Sequence, residues 1–436
     1  MINALGLLKE RRFLPLFVTQ FLGAFNDNLF KQAMVLVVVY QIYQNPSKEQ
    51  GFTALASALS IIAFVLLSAL AGQLADSFDK ARIIRIVKTA EIAIMLVGGA
   101  GLLLAKAGYT NVAMVLMLGT IFALGVHSTF FGPIKYAILP QHLKEDEVLG
   151  GTGLVESATY IAILLGTVLA GFMKVEHAVI GTLVVAAIGW LSARQVQPAP
   201  RQGPKLEINY NPFTSSWRLI SGTMHIPRLF LAICAISFFW TMGIVLIVIF
   251  TPLAKNVLTA DKHVATLLTA LFSVGIAIGS VAINSLLKGH TSAKYGPATV
   301  LIMGVCVMLF SFLCEAWTPA APGHLYTTLE FIKEPMAWFV IAALVGIAIF
   351  GGMFVVPLYA FLTTTVHKDE TARTVAANNV VNSGAMAIGS VIVSLLTGWG
   401  VGSTHMLYLV AAMCPISAWL AWKLHKACDL GLLPLS

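Results

Sequence analysis

Apolar runs of roughly 18 to 25 residues recur from Phe13 to Leu424, broken by short polar turns, and each is long enough to cross about 30 Å of hydrocarbon as a helix. Backbone polar groups must be paired in lipid, which leaves helices or a closed barrel. The runs are uninterrupted, whereas barrel strands alternate. The pattern predicts an all-α integral membrane protein with twelve transmembrane helices over 13–43, 51–72, 84–106, 110–134, 150–173, 176–193, 228–252, 264–287, 297–316, 336–362, 376–399 and 404–424. The first span has no small-residue cleavage site behind a short apolar core, so it reads as a retained helix rather than a signal peptide.

The longest polar interval, Arg194 to Pro227, divides the spans six and six. The predicted organisation is therefore 1–193, a linker over 194–227, and 228–436. Pro198, Pro200, Pro204, Pro212 and Pro227 exclude one continuous helix across the linker. An amphipathic piece on the membrane surface fits best at Pro212 to Ile220. A weak internal repeat supports the division. Setting Pro133 against Pro357, a shift of 224 residues, also sets Lys144, Glu145 and Asp146 against Lys368, Asp369 and Glu370. Halves with an even number of spans have parallel topology, an arrangement used by secondary transporters.

Composition agrees with the pattern. Of 436 residues, 58% are hydrophobic and 11% charged, against about 25% charged in soluble domains. The net charge of +8 points to positive-inside topology rather than nucleic acid. With both termini cytoplasmic, 20 Lys and Arg residues fall on the cytoplasmic side and 6 on the other. The five cysteines lie in mostly apolar surroundings without metal-ligand spacing, and no metal or cofactor is expected. The run from Gly289, GHTSAKYG, is too short for an ATPase phosphate loop.

Candidate chemistry lies where hydrophobicity fails. Asn26, Asp27, Asn28 and Lys31 interrupt the first span. Asp27 and Lys31, four residues apart, stand on one face in a favourable order for an ion pair. Intramembrane charges face a bundle interior or wet cavity and mark functional sites by default; the alternative is a packing pair that fixes two helices. Glu91 has Lys88 three residues before it, a pair that can satisfy itself near the cytoplasmic edge. Glu156 has no such neighbour and needs another helix, water, a proton or substrate. Lys135 follows Gly132 and Pro133; its ammonium could meet lipid headgroups or substrate phosphate, or snorkel. His127, beside Ser128 and Thr129, reads more readily as a structural histidine than as a proton carrier. In the loop from Gly72, Asp76 is expected to gate by pairing with basic residues or facing a helix N-terminus, within a charge-rich face that includes Arg82.

GAFNDNLFK at Gly23 to Lys31, FFGPIKYAILP from Phe130, and Gly72, Leu74, Ala75, Asp76 and Arg82 in the second loop carry a resemblance. The chain resembles the major facilitator superfamily, and within it the bacterial lysophospholipid transporter family. Ser77 and Asp79 depart from the superfamily signature, which commonly has a basic residue and glycine there. The resemblance implies two six-helix bundles, alternating access, and a transporter rather than an enzyme. It implies movement of lysophospholipid, chiefly lysophosphatidylethanolamine, from the outer to the cytoplasmic leaflet of a bacterial inner membrane. Substrate contacts would come from Asn26, Asp27, Asn28, Lys31, Glu156 and Lys135, and gating from Asp76 and Arg82. It further implies a cytoplasmic acyltransferase and acyl-carrier-protein synthetase as partner; the chain ends soon after Lys426, so that enzyme is expected to be separate. Two other readings stay open: a proton-coupled exporter of amphipathic small molecules, using Asp27 or Glu156 as its switch, and a membrane scaffold for lipid-remodelling enzymes.

Overall fold

The computed structural model describes residues 4–38, 42, 46–203, 207–322, 324–399 and 401–429. The end of the first predicted span, and Pro204 of the linker, lie outside them. A 3-10 turn, Ala4–Lys9, precedes α1 (Leu14–Val37), α2 (Pro46–Ser77), α3 (Lys80–Lys106), α4 (Thr110–Ala137), the short α5 (Leu139–His142), α6 (Glu145–Phe172), α7 (Val175–Ala193) and α8 (Pro212–Met224). There follow α9 (Pro227–Asn256), α10 (Lys262–Leu287), α11 (Gly296–Glu315), the short α12 (Thr328–Lys333), α13 (Pro335–Thr364), α14 (Thr371–Gly398) and α15 (Ser403–Asp429). Among the described residues the only β-pairing is an isolated bridge between Ala260 and Tyr326.

Eleven of these helices are long and apolar enough to cross a membrane. Besides the short α5, α8 and α12, the helix outside that set is α1, whose 24 residues reach about 36 Å at 1.5 Å per residue. Its apolarity is held down by Gln20, Asn26, Asp27, Asn28 and Lys31. Eleven spans and α1 are consistent with the expected twelve. Several helices begin before the apolar run does: α3 starts at Lys80 and α14 at Thr371. Hydropathy marks the part in hydrocarbon, while the helix continues through its capped polar first turn. For α3 that cap is Asp79, which accepts from the Ala81 N–H at 2.8 Å.

The chain packs as two compact units. One holds Asn3–Thr223 together with Leu362–Val380; the other holds Met224–Phe361 and Val381–Ser436. The first ten residues of α14 thus pack in the first unit and the remainder in the second. Within the first unit α1 crosses α6 closely at Gly166, where an added Cβ would come within 2.5 Å of the Phe25 carbonyl oxygen. In the second unit Gly279 and Gly352 bring α10 and α13 into similar contact. In the linker, α8 buries its small polar residues, Ser215 and Thr223, and leaves Phe213 and Trp217 each 74% exposed. That inversion suits a helix laid against a membrane rather than in water.

Candidate functional site

The polar residues of α1 are brought together with α3 and α4. Glu91, on α3, is fully buried. One of its oxygens accepts from the Asn26 amide at 2.8 Å. The other lies 2.6 Å from the Lys88 ammonium and 3.2 Å from His127 Nε2. Lys88 pairs with Glu91 as the spacing allows, and both are 0% exposed. Desolvating these charges is expensive, and only the full set of partners offsets it. Gly23 makes room, since a Cβ there would stand 2.6 Å from Lys88 Nζ. A side chain at this position would displace the Lys88 ammonium.

Asp27 takes a different partner from the one its spacing predicts. Ser128 donates to Asp27 Oδ2 at 2.7 Å, and Oδ1 is buried without a hydrogen bond. No ion pair among the described residues joins Asp27 to Lys31. A four-residue spacing makes such a pair available, but the Ser128 hydroxyl from α4 competes for the carboxylate. Lys31 is half-buried. Asn28 donates back to the Ala24 carbonyl at 2.7 Å.

Glu156 finds the inter-helix partners its isolation called for. Tyr136 on α4 donates to Glu156 Oε1. Lys135 stands within electrostatic range of the same carboxylate and 4.7 Å from the Tyr136 ring centre. Tyr136 was absent from the sequence-based set, although it sits inside FFGPIKYAILP. The two clusters do not coincide. Ser128 and Tyr136 are eight residues apart on α4, about 12 Å along its axis. The α1 side agrees: Gln20 donates to the Val155 carbonyl at 3.1 Å, whereas Phe25 and Asn28 meet Gly166, eleven residues further along α6. Asn26, Asp27 and Asn28 therefore form one level and Glu156, Tyr136 and Lys135 another, about two turns away.

At the far end of α2, Asp76 is 2% exposed and caps α14. Its Oδ1 accepts from the Ala372 N–H at 3.0 Å; its Oδ2 accepts from the Arg373 N–H at 3.0 Å and from Arg373 Nε at 3.1 Å. Asp76 thus meets both a helix N-terminus and a basic side chain. Gly72, one turn before it, permits the approach, since a Cβ there would lie 3.0 Å from the Arg373 Cα. The cation beside Asp76 is Arg373, with the buried Lys80 ammonium in electrostatic range. Arg82 is exposed and makes no contact with Asp76 among the described residues. The start of the linker is fastened to the same loop. Lys80 N–H donates to the Ala199 carbonyl and Ala199 N–H to Asp79 Oδ1, each at 3.0 Å, and Arg85 reaches the Val196 carbonyl at 3.1 Å.

Among solved structures, the human organic anion transporter MFSD10 superposes with a TM-score of 0.75 at 12% identity, over 94% of this chain and 99% of that one. A bacterial homologue of the iron transporter ferroportin, in an outward-facing state, gives 0.73 at 12% identity, over 96% and 100%. At these identities the likeness concerns the fold. In sequence, the lysophospholipid transporter LplT of Cronobacter sakazakii is 29% identical over 387 residues, 86% of this chain and 85% of that protein. Its namesake from Salmonella heidelberg is 30% identical over 393 residues with the same coverage. The family model for the Major Facilitator Superfamily matches residues 16–390. The chain belongs to the major facilitator superfamily and, within it, to the lysophospholipid transporter family.

Proposed function

We propose that this protein is a multi-pass membrane transporter of lysophospholipid, principally lysophosphatidylethanolamine, moving it from the outer to the cytoplasmic leaflet of a bacterial inner membrane. The observation that carries the reading is the state of Asp27 and Lys31. Asp27 keeps one carboxylate oxygen unengaged inside α1, and Lys31, one turn on, has no ion pair with it. The two residues stand about 6 Å apart along the helix axis, one turn on a shared face, close enough for their side chains to meet the ammonium and the phosphate of one ethanolamine headgroup. The ammonium would be received by Asp27 and the phosphate by Lys31, each as a charge-assisted contact. Asn26 is committed to Glu91, and Asn28 to its own helix, so their part is to shape the site. Glu156 and Lys135, about two turns away, offer a second acid and base along the route rather than a share in the same contact.

Gating is assigned to Asp76. It holds the first turn of the helix whose later residues belong to the second unit, so releasing this cap frees α14 to move with that unit. The chain would work as two six-helix bundles, 1–193 and 228–436, joined by the linker, with both termini cytoplasmic as the distribution of basic residues favours. Reacylation of the delivered lipid would fall to an acyltransferase and acyl-carrier-protein synthetase.

The unengaged Asp27 oxygen also favours a second reading, a proton-coupled exporter of amphipathic molecules. Proteoliposomes loaded in parallel with lysophosphatidylethanolamine or an amphipathic cation, with and without a proton gradient, separate the two. Lysolipid movement that needs no proton gradient supports the first; gradient-driven movement of the cation alone supports the second.

A further inference from the structure

A cavity of about 690 Å³ lies in the first unit between the end of α2, α3 and α4. Its α3 wall is a ladder of four-residue steps, Arg82, Ile86, Ala90 and Ile94. The α4 wall repeats the step with Phe122, Val126 and Phe130. Facing i, i+4 ridges of this kind leave a groove between packed helices. Both walls belong to membrane spans, and Ile86 and Phe122 remain 60% and 39% exposed. The groove is therefore offered hydrocarbon rather than water.

Length and charge select the occupant. From Arg82 to Ile94 is twelve residues, about 18 Å, close to the roughly 15 Å that makes up half of a 30 Å hydrocarbon core. The groove is one leaflet deep. Arg82 supplies the only formal charge on its lining and engages no carboxylate among the described residues. It stands at the third residue of α3, where the helix leaves the membrane, with the exposed Arg85 one turn on. A guanidinium there fits a lipid phosphate at headgroup level, with one acyl chain running down the ladder to Ile94 and Phe122.

We infer that Arg82 and the groove between α3 and α4 form a binding site for an anionic two-chain phospholipid of the surrounding bilayer, distinct from the route of the transported lipid. One chain fills the groove and the other stays in the bilayer. The chain lies against His127, whose ring also lines the groove and faces Glu91 at 3.2 Å, so the bound lipid and the buried polar cluster share a wall. This inference requires a membrane-spanning bundle but not the identity of the cargo.

Native mass spectrometry of the purified protein titrated with phosphatidylglycerol tests it. The intact protein is expected to retain one phosphatidylglycerol that survives excess lysophosphatidylethanolamine. Arg82→Gln should weaken retention about fivefold, corresponding to about 1 kcal/mol for one basic residue at the membrane surface, while Arg82→Lys keeps it. Ala90→Trp, which fills an exposed part of the groove, should abolish the adduct with Arg82 in place. Equal retention in wild type, Arg82→Gln and Ala90→Trp overturns the inference. Displacement by an equimolar amount of lysophosphatidylethanolamine also overturns it, because the groove would then belong to the transported lipid.

Discussion

Asp76 accepts two hydrogen bonds from Arg373, 297 positions away, one from its backbone N–H at 3.0 Å and one from its Nε at 3.1 Å. A third comes from the Ala372 N–H. The first N–H groups of a helix have no partner within it, and a carboxylate placed there satisfies them and opposes the positive end of the helix dipole. Asp76→Ala should expose these amides, with hydrogen-exchange protection at Ala372 and Arg373 falling by about 1–3 kcal/mol in opening free energy. Arg373→Ala alone should cost less, since both backbone bonds to Asp76 survive. Equal losses in the two variants would place the energy in the ion pair rather than in the cap.

The buried cluster around Glu91 makes a different prediction. Lys88→Met leaves Glu91 without its cation and should lower stability by about 3–5 kcal/mol. Lys88→Met combined with Glu91→Leu removes both charges and should recover part of that loss, read as the thermal midpoint in detergent. Gly23→Ala should destabilise as well, because the new methyl group meets the Lys88 ammonium. A double variant no better than the single would mean that Asn26 and His127 need the carboxylate more than the lysine does.

Tyr136→Phe removes the hydroxyl that donates to Glu156 and leaves that acid beside Lys135. Losing a charged, buried hydrogen bond of this kind costs about 1.5–3 kcal/mol. Uptake of lysolipid should fall while membrane insertion is retained. Glu156→Gln, which keeps an acceptor for Tyr136, should be tolerated better for stability than for uptake. Matching effects of both variants on stability and uptake would make the cluster a packing device.

The attachment of the linker should depend on pH. His142 lies 3.4 Å from the Pro198 carbonyl oxygen, and burial pushes its imidazole below the ordinary value of 6.5. A released imidazole takes up a proton that the packed one resists. Attachment is therefore fully supported above 6.5 and weakens as pH falls below it. The protection factor of the Ala199 amide, which donates to Asp79 at 3.0 Å, should drop over that range, and His142→Gln should remove the dependence.

The spans were legible because lipid imposes one rule on every helix, and hydropathy reports it directly. Their ends were less so: Lys80 and Thr371 begin helices that run past the hydrocarbon into capped polar turns. The membrane-embedded polar residues were also visible, since Asn26, Asp27, Glu91 and Glu156 stand out against apolar neighbours. Their partners were not. Spacing along one helix shows that Asp27 can reach Lys31, but it carries nothing about Ser128 arriving from α4. In the same way Tyr136 for Glu156 and Arg373 for Asp76 come from segments 20 and 297 positions away. Only packing of the helices brings them together, and it divides what the sequence presents as a single polar set into two levels.

In the proposed binding mode, Asp27 and Lys31 receive the two charges of a zwitterionic lysolipid headgroup. Uptake of lysophosphatidylethanolamine and of lysophosphatidic acid, which lacks the ammonium, by the purified protein in proteoliposomes tests it most directly, with Asp27→Asn and Lys31→Gln beside the wild type. The wild type is expected to prefer lysophosphatidylethanolamine, Asp27→Asn to erase the preference, and Lys31→Gln to lower uptake of both. An unchanged preference in a folded Asp27→Asn protein would contradict it.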